Sequence, residues 1–275
     1  MIRHLKSHRP ALACLALASL ATSASAERAI NATFASEVIE KHAETIVEVH
    51  LVNHMTVQMI DGPEALAEAI AQSPSQEQDF RANGVVIDPS GLVAVPGLPL
   101  NPFILFREIT IPTPLGDLKV GLEGRFAEVR IVTSSGAELP AEVVFADHDT
   151  GLFLVKPLEA PESPLPALVP QSSLPHPPAF SEVICLGKMP AAFGHQPVTS
   201  RVRTTGIIAS RHGLDSLTSA GSNVIGNAAF DAAGDFLGIT VIPGSGDPSG
   251  PDMADMGLYL ISSSTLHRLA KEHLQ

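Results

Sequence analysis

The sequence predicts an all-β protein of barrel or sandwich type, and three observations predict it. The 23 prolines and 21 glycines among 275 residues favour many turns and interrupt long helices. Short runs alternate apolar and polar residues, the period of a half-buried strand, as in Val47, Val49 and Leu51 against Glu48 and His50. Turn-forming groups such as Asp88-Pro89-Ser90-Gly91 separate these runs at short spacing. With 45% apolar and 17% charged residues, the chain can bury a core, which excludes a disordered chain and a disulfide-stapled miniprotein.

The first 26 residues are expected to be a secretory signal peptide. A basic stretch from Met1 to Pro10 precedes an apolar run from Ala11 to Leu20, and Ala24-Ser25-Ala26 supplies small residues for cleavage after Ala26. The apolar run is well short of the roughly 20 residues that span a bilayer. Cys14, behind Leu12 and Ala13, is a poor lipidation signal. The product is therefore expected to be exported, periplasmic or secreted, with no membrane span after cleavage. It keeps only Cys185, so an internal disulfide and a four-cysteine metal site are excluded, and a small buried hydrophobe is the expected role. Removing Arg3, Lys6 and Arg9 takes the net charge from -12 to -15, because the leader carries no acid. Such a chain repels phosphate backbones and anionic headgroups, which argues against nucleic-acid and membrane-surface partners.

Taken in order, Asn31 to Thr45 has helical spacing, with Phe34, Val38 and Ile39 against Glu37, Glu40 and Lys41. Ile46 to Val52 is the first strand, and polar Gln72 to Asn83 is expected to be a solvated loop. Hairpins follow over Val85 to Val95 and over Ala127 to Val144, the second around Ser134-Ser135-Gly136, with a further strand from Gly151 to Val155. Pro157 to Pro178 holds 8 prolines in 22 residues and is expected to be a linker, because proline lacks the N–H that a helix or central strand needs. Strands resume at Val183 to Leu186, Thr204 to Ser210, Ala228 to Phe230, Phe236 to Ile242 and Leu258 to Ile261. Ser263 to Leu274 closes the chain as an amphipathic helix, its Ser cluster serving as cap.

The order of motifs then points further. Gly84 to Val93 reads G-V-V-I-D-P-S-G-L-V; Val143-Val144 precede Asp147 and Leu152; Phe230-Asp231 precede Gly234 and Leu237-Gly238-Ile239; and Gly257 to Ile261 lead into the last helix. Phe34 to Val49 and Thr204 to Ala209 match two further segments. Together these resemble the exported trypsin-like serine proteases of the HtrA/Deg family over residues 34 to 272. The resemblance implies two six-stranded antiparallel barrels, with a short N-terminal helix and a C-terminal helix. Its divisions are an N-terminal half over residues 27–156, a Pro-rich linker over 157–178 and a C-terminal half over 179–275, with the family's active site in the cleft between the barrels. No peptide-binding PDZ module is expected after the terminal helix.

The catalytic places depart from that family. The general-base histidine falls on Leu98, the orienting aspartate on Gly151 and the nucleophile on Ile225. Such a triad needs an imidazole, a carboxylate and a hydroxyl, which these residues do not carry. Asn223 and Asn227 also replace glycines beside the nucleophile place. The resemblance thus implies a pseudoprotease acting by protein or peptide binding, with no cofactor, no metal and an open oligomeric state. The alternative is an active serine endopeptidase with a rearranged site, for which Ser222 and Asp149 are the near candidates. No histidine lies between His54 and His148, so a base would have to come from His50 or His54 on another strand. Restoring Leu98→His, Gly151→Asp and Ile225→Ser together is expected to leave a folded but nearly inactive protein.

Three other features carry candidate roles. His50 and His54 with a carboxylate could ligate zinc, but they lack any HExxH-like context and read as solvent-facing strand histidines. Asn101 to Phe126 is inserted relative to the family, beginning with apolar Pro102 to Phe106; an extra hairpin on the first barrel and a partner-binding loop are both open. His195, within Lys188 to Gln196, would border the cleft and reads as a surface residue.

Overall fold

The computed structural model describes residues 30–72, 75–100, 108–147, 149–174, 177–207, 215–218, 224–243 and 257–274. The expected leader, the apolar stretch Pro102 to Phe106 and Ser222 lie outside these residues. Helix α1 (Ala32–His42) opens the described chain, capped by Asn31, whose Oδ1 accepts from the Phe34 N–H at 3.0 Å. Phe34 and Val38, one turn apart, are its buried residues, as the spacing predicts. A 3-10 turn over Ala43–Thr45 leads into strand β1 (Ile46–Asp61).

Seven strands form the first sheet: β1, β2 (Gln76–Val86), β3 (Val93–Pro96), β4 (Glu108–Thr113), β5 (Gly116–Val132), β6 (Glu138–Asp147) and β7 (Leu152–Pro157). Their order is β1-β2-β3-β7-β6-β5-β4, and β1 also pairs with β5. The later strands, β8 (Glu182–Lys188), β9 (Pro197–Ile207), β10 (Asp215–Thr218), β11 (Ala228–Phe230), β12 (Phe236–Val241) and β13 (Leu258–Ser262), close a six-stranded antiparallel barrel in the order β10-β13-β12-β11-β8-β9. Helices α2 (Glu64–Ala71), α3 (Gly97–Leu100) and α4 (Ser263–His273) complete the elements. The protein is therefore mostly β, with few helices.

Alternation explains most of this. Both expected hairpins form: Ile87 N–H donates to Leu92 O at 2.8 Å across the first, and Gly136, at φ 82, turns the second. Helix α4 is capped by Ser262, whose Oγ accepts from Thr265 N–H at 3.3 Å, and it buries Leu266 and Leu269.

Several expectations need correction. Gln72 to Asn83 is not a solvated loop, because Gln76–Asn83 belongs to β2 and pairs with β1 from Met55 back to Glu48. Its polar residues mark the outward face of a strand whose Ala82 turns inward. Strand β1 does not stop at Val52: it continues to Asp61 along β5, with a bulge at Val52/Asn53. Helix α2 was not expected, although Glu64-Ala65-Leu66-Ala67-Glu68-Ala69-Ile70-Ala71 is built of strong helix formers. Of the two readings left open for Asn101 to Phe126, the described part forms a hairpin, β4 against the start of β5.

Beyond Pro157, the last residue of β7, the Pro-rich segment carries no strand or helix among its described residues, yet it is a fixed strap. Leu158 N–H donates to Pro140 O at 2.9 Å, Leu165 N–H to Pro89 O at 3.0 Å and Leu168 N–H to Val86 O at 2.8 Å, and Leu168 is buried. One apolar cluster lies inside the first sheet, around Leu51, Val93, Ile131 and Phe153, and another inside the barrel, around Val183, Cys185, Leu237 and Leu260. A third joins the halves, packing Phe34, Val85 and Leu154 with Ile184, Phe230, Ile239 and Leu266. Burial of this shared cluster is the chief force holding the halves together.

Candidate functional site

The seam between the sheet and the barrel is where the three catalytic places of the resemblance must be sought. Strand β3 ends at Pro96 and runs directly into α3, which carries Leu98. Gly97, one residue earlier, donates its N–H to the Gly151 carbonyl at 2.7 Å, so the Leu98 and Gly151 places are neighbours. Gly151 has φ 68, and a Cβ there would lie 2.2 Å from the Ile242 carbonyl oxygen just after β12. Main chain of the barrel half thus occupies the space an aspartate side chain would need.

Ile225 sits in the turn before β11 and packs on the apolar interior of the barrel. The next residue, Gly226, has φ 79 and donates its N–H to Thr240 O at 2.8 Å. A Cβ on Gly226 would lie 2.7 Å from Asn83 O and 2.8 Å from the Pro96 ring, so this turn presses on the end of β3. Thr240 holds the turn from below: it accepts the Asn227 N–H at 3.0 Å, and its hydroxyl donates to Val224 O. Asn227 is fully buried, its amide lying where a Cβ on Gly187 would stand. Around these places stand backbone, the Pro96 ring and aliphatic groups, with the Thr240 hydroxyl engaged by main chain, and none of them is an imidazole or a carboxylate.

The candidates for a rearranged site are scattered. Ser222 lies outside the described residues. Asp149 is exposed, and its N–H donates to Asp147 Oδ1 at 3.0 Å in a local turn. His54 is exposed on β1, 3.9 Å from Glu77. His50 corrects an expectation, because it is buried instead of solvent-facing and its Nε2 contacts Glu48 Oε1. It does point away from the sheet's interior, but the other half of the molecule covers that face.

That cover defines a polar cluster that the sequence reading missed. Glu48 and His50 keep only 11% of their side chains exposed. His195, in the connection between β8 and β9, brings Nδ1 to 3.4 Å from Glu48 Oε2, and it does so from φ 53. Arg81, opposite His50 on β2, approaches Glu48 at 3.8 Å. Asn83 Nδ2 donates to Lys188 O at 2.8 Å beside them. Burial lowers the pKa of the half-buried Lys188 amine, and Glu48 and Glu44 oppose that shift. The signal available in sequence was the run Glu48-Val49-His50, whose like-facing acid and imidazole invite a cover. Nothing in the sequence named His195 as part of it.

Among the described residues no group of three His, Cys, Asp or Glu side chains is placed to hold a metal ion, and no helix is long and apolar enough to cross a membrane. Cys185 is fully buried in β8, and desolvation pushes its thiol pKa up to about 12. No family model matches the chain, and no curated protein matches it. The site and fold define the class: a mostly antiparallel β protein with a closed six-stranded barrel, joined to a seven-stranded sheet through an apolar seam.

Proposed function

We propose that this chain is an exported, HtrA-like member of the trypsin-like class that has lost hydrolysis and acts by binding protein or peptide. Under this reading the first sheet is a second six-stranded antiparallel barrel, β4 being an added strand. The pairing of β1 with β5 supports it, since it joins the two ends of β1-β2-β3-β7-β6-β5. The observation that carries the functional reading is the Gly151 backbone. Its position at φ 68 against the Ile242 carbonyl leaves no room for a carboxylate where an orienting aspartate would stand. Leu98 and Ile225 at the companion places supply neither imidazole nor hydroxyl.

Purified mature protein should neither cleave casein nor be labelled by a fluorophosphonate probe, and it should retain a stoichiometric partner from its own exported fraction. Labelling that disappears in Ser222→Ala would overturn the inactive reading in favour of a rearranged endopeptidase. Absence of any retained protein from low to high salt would overturn the binding reading.

A further inference from the structure

A cavity of about 560 Å³ opens at the other end of β3 from the catalytic places. Val86 on its floor is paired with Val93, the first residue of β3, whereas Pro96, the last, abuts Gly226. Three residues of strand separate the two ends by about 10 Å, so this groove is distinct from the seam. Its size falls within the usual range of about 300 to 1,000 Å³ for ligand pockets.

The floor is apolar, formed by Val47 and Val86 with Leu139 and Leu165. One wall is the turn Thr133 to Ser135, and the other is the strap from Pro161 to Pro166. Four of the six residues in the strap wall bring no free backbone donor, leaving the N–H groups of Glu162 and Ser163. Pro161, Pro164 and Pro166 have no N–H, and the Leu165 N–H is already used on Pro89 O. The side chains along this wall and rim offer hydroxyl and carboxylate oxygens. Glu44 and Glu162 stand at the rim, neither forms a direct ion pair among the described residues, and no Lys or Arg lines the groove, although Lys188 is near enough to feel the Glu44 charge. The strap is fixed by its hydrogen bonds to Pro140, Pro89 and Val86, so the groove is largely formed before anything enters it.

An acceptor-rich, negatively charged groove with an apolar floor matches a ligand that offers donors, positive charge and an aliphatic body. Arginine and lysine side chains have only donors at their charged ends and carry aliphatic stems. We propose that this groove binds a short stretch of polypeptide in which an aliphatic residue lies on the floor and a neighbouring arginine or lysine meets Glu44 and Glu162. The inference rests on the binding role proposed above and names the surface and the ligand chemistry that would serve it.

The test uses the whole mature protein and two blocked peptides, Ac-Leu-Arg-Leu-Arg-NH2 and Ac-Leu-Glu-Leu-Glu-NH2, titrated in a calorimeter. The arginine peptide should bind saturably and more weakly as salt is raised, and the glutamate peptide should not bind. Exchanging both rim acids, Glu44→Gln with Glu162→Gln, should weaken the arginine peptide about tenfold; both residues are exposed, so the fold should be kept. Filling the groove with Ser135→Arg should weaken it as well. No saturable binding of the arginine peptide, or equal affinity in the double variant, overturns the proposal. Partner retention separates this failure from failure of the wider reading. A partner held equally by wild type and the double variant leaves the binding function standing and removes this groove from it.

Discussion

Glu48 and His195, 147 positions apart in the chain, meet across the seam with Oε2 and Nδ1 3.4 Å apart. The carboxylate also faces His50 and Arg81, so one buried acid from β1 organises groups from both halves. Glu48→Ala should therefore cost about 1 to 3 kcal/mol, since it leaves the buried His50 ring nitrogen without its hydrogen-bond partner. His195→Ala should cost less than about 1 kcal/mol, because that imidazole is 44% exposed. Equilibrium denaturation of the two variants checks the ratio, and equal losses would show that the cluster is not centred on Glu48.

An aspartate at position 151 should strain the fold, beyond the cost of placing polar groups in an apolar seam. Gly151→Asp places a Cβ 2.2 Å from the Ile242 carbonyl, and main chain cannot yield as a flexible side chain can. A loss of about 3 kcal/mol or more is expected from overpacking combined with the left-handed φ. Gly136→Asn is the control: it has a comparable φ of 82 and no atom within 4 Å, so it should cost about 1 kcal/mol or less. Thermal melts that rank the two variants the other way would refute the packing argument.

His42 should make stability depend on pH. Its ring stacks on Phe230 at 4.9 Å between centroids, and burial, with Lys41 adding to it, lowers its pKa from the usual 6.5. The folded state then prefers the neutral ring, so the unfolded chain binds more protons in the window below pH 6.5. Stability from this residue is fully present above pH 6.5 and declines as pH falls through that value towards the lower folded pKa. Wild type should lose more Tm than His42→Phe between pH 7.5 and pH 5.5. Parallel curves for the two proteins would remove His42 as a source of the acid sensitivity.

Cys185 should be inert in the folded protein. A fully buried thiol with its pKa near 12 presents neither thiolate nor access. Ellman's reagent should label it only as fast as the protein unfolds, and denaturant should bring labelling of Cys185 to completion. Rapid labelling under native conditions would contradict the packing of β8.

Local order was legible where a residue's role depends on its neighbours in sequence. The spacing of Phe34 and Val38 announces a helix, Asp88 to Gly91 a hairpin, and the alternation from Val47 to Leu51 a strand, because helical turns, β-turns and pleats are set within a few residues. The same pattern misled at Gln72 to Asn83. A run of polar residues looks like a loop unless one knows that β1 continues far enough to pair with it.

By itself the sequence determined the β-rich class, the lack of strand in the strap beyond Pro157, the role of Cys185 as a small buried hydrophobe, and the absence of imidazole, carboxylate and hydroxyl at Leu98, Gly151 and Ile225. Tertiary structure alone decided that His50 is buried, that Gly151 faces the Ile242 carbonyl and that the strap walls a groove with Glu44 and Glu162 at its rim. The physical reason is the reach of the information. Periodicity reports which face of an element turns outward, whereas burial of that face depends on which distant segment comes to lie on it.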